Sequence, residues 1–217
     1  MAASPRYRAV LFDFDGTLTH PGALDFPALR RALGCPPGTL ILEHIDALPT
    51  EEERSLKRRI LADFEMAAAR ASVPNDGAEE AVRLLRRRGI LVGILTRNTR
   101  ASVLVSLANF HSLTEADFRV ILTRESGGRP KPHPDGVLAA AESLGVSIRE
   151  LLVVGDFVFD IAAGSAAGAA TVLLTNSGGP QGPGTASVPV ASVPVTSVPD
   201  HTIRGLDELP GILGISE

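Results

Sequence analysis

Cysteine and tryptophan are nearly missing from this chain of 217 residues, which holds one cysteine, no tryptophan and one tyrosine. The single thiol, Cys35, excludes a disulfide within the chain and a metal cluster built from cysteines. So low a cysteine content is typical of a reducing compartment. We therefore expect a cytoplasmic protein.

The chain also lacks a basic excess and a long apolar segment. Its formal net charge is -4 and its isoelectric point is about 5.8, which disfavours a nucleic-acid-binding protein because such domains carry a positive field. Residues Met1 to Arg8 lead into an apolar run of only a few residues, too short for a signal peptide or a membrane span. With 44% hydrophobic residues and a mean hydropathy of +0.17, we expect an ordinary globular protein that binds neither nucleic acid nor membrane.

The first feature that points to chemistry is an apolar run that ends in two carboxylates and a glycine. Asp13, Asp15 and Gly16 follow the run that starts at Ala9. A strand buried on both faces stays apolar to its end, so acids there lie at the sheet edge where open α/β sheets bind ligands. Close carboxylates repel each other unless a cation joins them, and Mg2+ prefers oxygen ligands and bridges to phosphate. The alternative is a strand end with an Asp-Gly turn and two solvated acids.

Residues 18–74 show helical spacing and no strand-like alternation. Short amphipathic helices are predicted from Phe26 to Leu33, where Gly34 follows, and from Thr39 to Leu48. Thr50 followed by Glu53 has the capping-box spacing and predicts a longer helix that reaches about Ala71. An all-helical block therefore follows the acidic turn directly.

After residue 77 the chain alternates between helix and strand, and its strands are continuously apolar. This pattern predicts a parallel sheet covered by helices on both faces. The predicted strands are Ile90 to Leu95, Arg119 to Leu122, Leu151 to Val154, Thr171 to Leu174 and an edge strand from His201 to Ile203. The predicted helices are Ala78 to Arg88, a helix capped by Asn98 that ends near Leu107, one from Pro134 or Asp135 to Gly145, Ile161 to Ala167, and Leu206 to Leu213. Residues 177–199 contain three Ser-Val-Pro copies and predict an exposed loop.

Polar residues follow four of these strands. Asp13 and Asp15 follow the first strand and Thr96 the second, Lys131 comes shortly after the third, and Asp156 and Asp160 follow the fourth. Lys131 is one of only two lysines among 21 basic residues. The ends of parallel strands meet at one edge of a sheet, so we expect these residues to share one pocket.

Together these residues resemble the four motifs of the haloacid dehalogenase superfamily, specifically of its phosphatases. The matching residues are Asp13-Phe14-Asp15-Gly16-Thr17-Leu18, Thr96, Lys131 within Arg129-Pro130-Lys131-Pro132, and Gly155-Asp156 with Asp160. The resemblance implies a Rossmann-like α/β core, formed by residues 1–17 and 75–217 with the first strand in mid-sheet, and a small inserted all-helical cap of residues 18–74. One departure is Phe157-Val158-Phe159, which is bulkier than the small polar residue common after the fourth-motif acid.

The resemblance also implies roles for the acids. Asp13 would be the nucleophile that forms an aspartyl-phosphate, and Asp15 would act as general acid and then general base. Dehalogenase members lack an acid at this second position, so Asp15 favours phosphate esters over carbon–halogen bonds. Mg2+ would be held by Asp13, the backbone carbonyl of Asp15, and Asp156, while Asp160 would bind it through water or orient Lys131.

For the phosphoryl group, the resemblance implies binding by Thr96, the backbone amides of Arg97 and Asn98, and the Lys131 ammonium. It implies a Mg2+-dependent phosphatase for a small phosphorylated metabolite, near the phosphoglycolate phosphatases in pattern. Two alternatives stay open, a phosphosugar mutase and a non-catalytic binding protein on the same fold. The candidates for reading the substrate from the cap are His20, His44, Arg30 and Arg31.

Overall fold

The centre of the fold is a six-stranded sheet in which every pairing is parallel. A computed structural model describes residues 6–176 and 197–215. The strands are β1 (Ala9–Phe12), β2 (Leu91–Leu95), β3 (Val120–Leu122), β4 (Leu151–Gly155), β5 (Ala170–Leu174) and β6 (His201–Ile203). Their order across the sheet is β3-β2-β1-β4-β5-β6. The predicted parallel sheet and the central position of the first strand are confirmed.

Strand β1 lies between β2 and β4 and is wholly buried. Its Ala9 is in register with Leu91 on one side and Leu151 on the other. Successive side chains of a strand point to opposite faces, and Val10 and Phe12 accordingly pack in one hydrophobic cluster while Ala9 and Leu11 pack in another. The sheet therefore has an apolar core on each face, as its uninterrupted apolar strands predict.

Helices cover both faces, and most of them lie where the sequence predicts. Those of the alternating region are α4 (Ala78–Arg87), α5 (Arg100–Leu107), α6 (Asp135–Leu144), α7 (Val158–Ala167) and α8 (Leu209–Leu213), the last preceded by a 3-10 turn over Leu206–Glu208.

Two predictions were wrong in detail. Thr99, not Asn98, caps α5, because its side chain accepts the Ser102 N–H at 3.2 Å. Helix α7 begins at Val158 rather than Ile161, because Asp160 accepts the Phe157 N–H at 3.2 Å and closes an earlier turn.

Three helices, α1 (Phe26–Leu33), α2 (Ile41–Asp46) and α3 (Glu51–Ala71), stand between β1 and α4. They are close to prediction, although α2 is shorter than the predicted Thr39 to Leu48. They share a small hydrophobic cluster of their own, formed by Leu29, Leu33, Cys35, Ile45 and Leu61. The chain enters and leaves this block side by side, since His20 N–H donates to Val73 O at 2.9 Å and Asn75 N–H donates to Leu18 O at 2.9 Å.

The edge strand predicted at His201 to Ile203 is confirmed as β6, which pairs with β5. Most of the predicted Ser-Val-Pro loop, residues 177–196, lies outside the described residues. Across the part of the chain that the structure describes, none of the helices has the length and apolar character needed to span a membrane.

The capping box of α3 gives a stability prediction. Thr50 accepts the Glu53 N–H at 3.2 Å, and the Glu53 carboxylate accepts the Thr50 N–H at 3.2 Å. Thr50→Ala removes the hydroxyl acceptor, so we expect it to lower the free energy of unfolding by about 1 kcal/mol. Urea denaturation measures this change, and Thr50→Ser, which keeps the hydroxyl, is the matched control. Equal loss in both variants would contradict the role of the hydroxyl.

Candidate active site

The residues predicted from the strand ends meet at the carboxyl edge of the sheet. Asp13 follows β1 and donates its N–H to Val154 O of β4 at 2.8 Å, which places it beside Asp156 at the end of that strand. Gly16 has a φ of +81°, and a Cβ there would collide with the Asp156 carboxylate. Glycine at this turn therefore satisfies both a left-handed backbone and the close approach of the acid.

Three carboxylates gather at this edge, from Asp13, Asp156 and Asp160. One oxygen from each lies within 4.8 Å of the others. The Lys131 ammonium lies in hydrogen-bonding contact with two of them, Asp13 and Asp160. When all four groups are ionised, two negative charges remain uncompensated, which equals the charge of one divalent cation.

Lys131 is buried, with 6% of its surface exposed, and its ammonium has an acceptor for each of its three N–H groups. It donates to Asp13 Oδ1 at 2.5 Å, to Asp160 Oδ1 at 2.5 Å and to the Leu95 carbonyl at 2.8 Å. Burial opposes its charged form, but Asp13 and Asp160 outweigh that effect and hold the pKa of Lys131 above its ordinary value. The lysine therefore stays charged and is held between two acids.

The pKa values of the carboxylates show how strongly this cluster needs positive charge. Burial raises the pKa of Asp156 to about 8, and repulsion from Asp13 and Asp160 adds to the shift. Burial likewise raises the pKa of Asp160 to about 6, with Lys131 lowering it and Asp13 raising it. A divalent cation bound among these oxygens would displace the proton from Asp156, because metal ligands must be deprotonated. The donor set, all carboxylate oxygen, fits Mg2+.

Asp15 lies in the same turn but outside the group of three acids. Its Oδ2 accepts from the Asn98 side chain at 2.6 Å, and its Oδ1 accepts from the Thr19 hydroxyl at 3.4 Å. Surrounding protein desolvates the carboxyl and raises the pKa of Asp15 to about 6, with repulsion from Asp13 adding to the shift and the Asn98 contact opposing it. Asp15 is exposed, so solvent moderates this shift. Such an acid is able both to hold and to release a proton near neutral pH.

Thr96 and the two residues after it form the turn between β2 and α5. The Thr96 hydroxyl oxygen accepts the Asn98 N–H at 3.1 Å, which leaves the hydroxyl proton to donate elsewhere. The backbone amide of Asn98 is therefore used within the turn, and the Asn98 side chain reaches Asp15 instead. The Arg97 side chain donates to the Lys131 carbonyl at 2.9 Å.

Two asparagines that sequence reasoning missed hold the turn after Asp15. Asn75 donates from its side chain to the Thr17 carbonyl at 2.9 Å and to Asn176 Oδ1 at 2.9 Å, and Asn176 donates to the Gly16 carbonyl at 2.8 Å. Asn176 has a φ of 52°, a left-handed conformation that asparagine tolerates better than most residues. The signal for Asn176 was its position just after β5, at the same sheet edge as the other strand-end residues.

A cleft of about 580 Å³ opens between α2 and α3 on one side and residues 122–131 on the other. Its lining includes Thr96 and Lys131, and from the helical block Leu42, Ile45, Arg58 and Arg59. The four predicted substrate readers lie elsewhere than in this lining, and Arg30 instead donates to the Pro36 and Thr39 carbonyls at 3.0 and 2.8 Å. The cleft brings the helical block and the sheet edge to one surface.

The family model that matches the chain describes a haloacid dehalogenase-like hydrolase and covers residues 7–168. An uncharacterized hydrolase of Saccharomyces cerevisiae is 39% identical over 171 residues, which are 78% of each chain. A phosphoglycolate phosphatase of Cereibacter sphaeroides is 28% identical and the match covers 94% of this chain and 96% of that one. Among solved structures, a hydrolase from Pseudomonas syringae superposes with a TM-score of 0.75 at 22% identity, covering 97% and 100% of the two chains.

The carboxylate cluster predicts that a divalent cation stabilises the fold. At about one hundred times its Kd a ligand adds about 2.7 kcal/mol, which for a chain of this size is about 5–10 °C in Tm. We expect MgCl2 to raise Tm by this order in the parent protein and not in Asp156→Asn, measured by scanning calorimetry at constant ionic strength.

The matched control for this measurement is Asp63→Asn, which alters an exposed carboxylate on α3 and should keep the full Mg2+ response. In Asp156→Asn the repulsion among the acids is relieved, so this variant should start from a Tm at or above that of the metal-free parent. A Mg2+ response that survives in Asp156→Asn would contradict the cation site.

Proposed function

The chain belongs to the haloacid dehalogenase-like hydrolase family as a phosphoric monoester hydrolase, and we propose that it hydrolyses a small phosphorylated metabolite with Mg2+ and an aspartyl-phosphate intermediate. The observation that carries this proposal is the contact of Asp13 with Lys131 in a cluster with two further acids, half-buried Asp156 and buried Asp160. A carboxylate held beside an ammonium stays ionised and oriented, as a nucleophile must be. A phosphatase also needs a separate proton donor, and Asp15 lies two residues away.

In the first step, an oxygen of Asp13 forms a bond to phosphorus while the bond from phosphorus to the ester oxygen breaks. Asp15 gives its proton to the departing oxygen, which leaves as an alcohol. In the second step Asp15 takes a proton from water, the water oxygen bonds to phosphorus, and the acyl-phosphate bond to Asp13 breaks. The raised pKa of Asp15, about 6, supports this exchange of roles. The Asn98 side chain fixes the carboxyl of Asp15 for both steps.

Mg2+ would be held by an oxygen of Asp13, the backbone carbonyl of Asp15, and Asp156. When bound, it neutralises negative charge on the nucleophile and on the phosphoryl group, which otherwise repel each other. One carboxylate oxygen of Asp160 accepts a hydrogen bond from Lys131, and the other accepts the Phe157 N–H. These two contacts support a role for Asp160 in orienting the lysine. Thr96 would donate its hydroxyl proton and Arg97 its backbone N–H to phosphoryl oxygens, with Lys131 adding charge.

The helical block completes the proposed site. Residues 18–74 would act as a cap over the catalytic core of residues 1–17 and 75–217, and the separate hydrophobic cluster of α1–α3 supports that division. The cleft of about 580 Å³ that α2 and α3 line together with Thr96 and Lys131 suits a small metabolite. The single cysteine of the chain supports a cytoplasmic location as part of this proposal.

Removing the proposed nucleophile tests the catalytic assignment. We expect the parent protein to release phosphate from p-nitrophenyl phosphate with Mg2+ and to stop when EDTA removes the metal. Asp13→Asn should lower kcat by more than about a thousandfold, because loss of a nucleophile abolishes the covalent route. Asp63→Asn is the matched control and should keep the parent rate. Equal phosphate release from the parent and from Asp13→Asn would refute the assignment.

The proposed general acid predicts a dependence on the leaving group. An alkyl phosphate needs a proton on its departing oxygen, whereas p-nitrophenolate leaves as a stable anion. Asp15→Asn should therefore lower kcat/KM, which reports the first irreversible step, by about 10²–10⁴ for an alkyl phosphate and much less for p-nitrophenyl phosphate. Phosphate release at a series of low substrate concentrations measures both values. Equal losses for the two esters would remove the proton-donor role from Asp15.

A further inference from the structure

We propose that the side chain of Arg97 is a positioning residue that couples helix α2 to the segment carrying Lys131. The inference rests on the proposed function, because it gives Lys131 a place in phosphate chemistry. Arg97 itself need not touch the substrate with its guanidinium. Its effect would pass through the backbone of the lysine and through the helix that covers the cleft.

The guanidinium of Arg97 has two partners that belong to different parts of the chain. Nη1 donates to the Lys131 carbonyl at 2.9 Å. Nη2 lies 3.1 and 2.8 Å from the two carboxylate oxygens of Glu43, on α2. A planar guanidinium holds its donors in a rigid fork, so a displacement of one partner moves the other. Glu43 and Lys131 are therefore linked through one rigid group.

A third contact fixes the plane of that group. Arg97 Cζ lies 5.5 Å from the centre of the Phe159 ring, and Phe159 packs edge-on against Phe157 with the ring centres 4.6 Å apart. These are the bulky residues that depart from the family pattern after Asp156. An aromatic face attracts an arginine cation and shields one side of it from water. The bulky residue Phe159, in the first turn of α7, thus supports the Arg97 guanidinium.

Helix α3 reaches the same turn by a second ion pair. Arg124 binds buried Glu65 of α3 through two bonds of 2.8 and 2.9 Å, and its Nη1 also donates to the Arg97 carbonyl at 3.3 Å. The pair is bidentate and shielded, since the Glu65 side chain is 5% exposed. By contrast the Glu43 side chain is 42% exposed, so its pair with Arg97 is the weaker of the two. We infer that α3 anchors the turn while α2 is the helix able to separate from it.

Lys131 makes this coupling matter for chemistry. Its side chain is held at one end by Asp13, Asp160 and the Leu95 carbonyl, and the backbone that carries it is held by Arg97. With α2 in place, Glu43 fixes the guanidinium and so the Lys131 carbonyl. With α2 displaced, Arg97 still donates to the Lys131 carbonyl, but Glu43 no longer holds the Arg97 guanidinium in place. Proper placement of the lysine would then require α2 over the cleft.

A double-mutant cycle on kcat tests the coupling. The variants are Glu43→Ala, Arg97→Met and the pair together, assayed with p-nitrophenyl phosphate and Mg2+. Loss of a charge-assisted hydrogen bond to Lys131 should lower kcat about tenfold in Arg97→Met. Since Glu43 acts through Arg97, the double variant should have the kcat of Arg97→Met, and Glu43→Ala should fall between it and the parent. Arg97→Lys, which keeps the charge without the fork, should have an intermediate kcat.

Arg83→Met is the control, because Arg83 also makes an ion pair with a glutamate, Glu80 on α4. Its loss removes an exposed ion pair far from Lys131 in the chain, so it should leave kcat unchanged. If the two single effects multiply in the double variant, or if Arg97→Met keeps the kcat of Arg83→Met, the coupling is refuted.

Hydrogen exchange followed by mass spectrometry gives a readout that needs no activity. Arg97→Met should speed exchange both in α2 and at the amides of Arg129, Lys131 and His133, whereas Glu43→Ala should speed it strongly in α2 and weakly at the other amides. Unchanged exchange at the Lys131 segment in Arg97→Met would refute the coupling. Failure of the parent protein to release phosphate would count against the proposed function alone, and the exchange pattern would still decide the link between α2 and Lys131.

Discussion

An excess of negative charge at one buried edge of the sheet is the constraint on which this structure depends. Asp13, Asp156 and Asp160 share that edge with one ammonium, that of Lys131. Carboxylates crowded away from water raise each other's pKa values and oppose folding. Lys131 compensates part of this charge, and the divalent cation proposed above would compensate the rest. An arrangement that is unfavourable for stability would then suit the proposed reaction, in which a bound metal helps to receive a phosphoryl anion.

The sheet explains how residues so distant in sequence reach this edge. Strand β1 lies between β2 and β4, so the ends of the three central strands bring Asp13, Thr96 and Asp156 to neighbouring positions. Turns rather than strands then set the fine geometry. Gly16 makes room for the Asp156 carboxylate, and Asn176 holds the Gly16 carbonyl from the end of β5. A parallel sheet thus supplies proximity, and hydrogen bonds from loops supply orientation.

The helical block is joined to this edge by ion pairs of unequal strength. Glu65 and Arg124 form a shielded bidentate pair, whereas Glu43 meets Arg97 nearer to solvent. Exposed pairs contribute little free energy and respond to salt, whereas breaking a shielded pair leaves a buried charge without a partner and costs more. This difference between the two ion pairs suits a helical block that is anchored at α3 and able to move at α2. Coupling through Arg97 would then make access to the cleft and placement of Lys131 parts of one event.

Sequence by itself determined the fold class and most of the residues that meet at the sheet edge. Continuous apolar strands that alternate with helices leave few arrangements other than a covered parallel sheet. The acids after the first and fourth strands meet because the carboxyl ends of parallel strands lie at one edge of the sheet. The predicted ends of some helices differ from the structure where a side chain caps the first turn, as Thr99 does at α5. Tertiary structure alone decided that Asn98 faces Asp15, that Asn176 supports the acidic turn and that Arg97 joins Glu43 to Lys131. Such contacts join residues 34 to 160 positions apart, and no local periodicity records a partner at that distance.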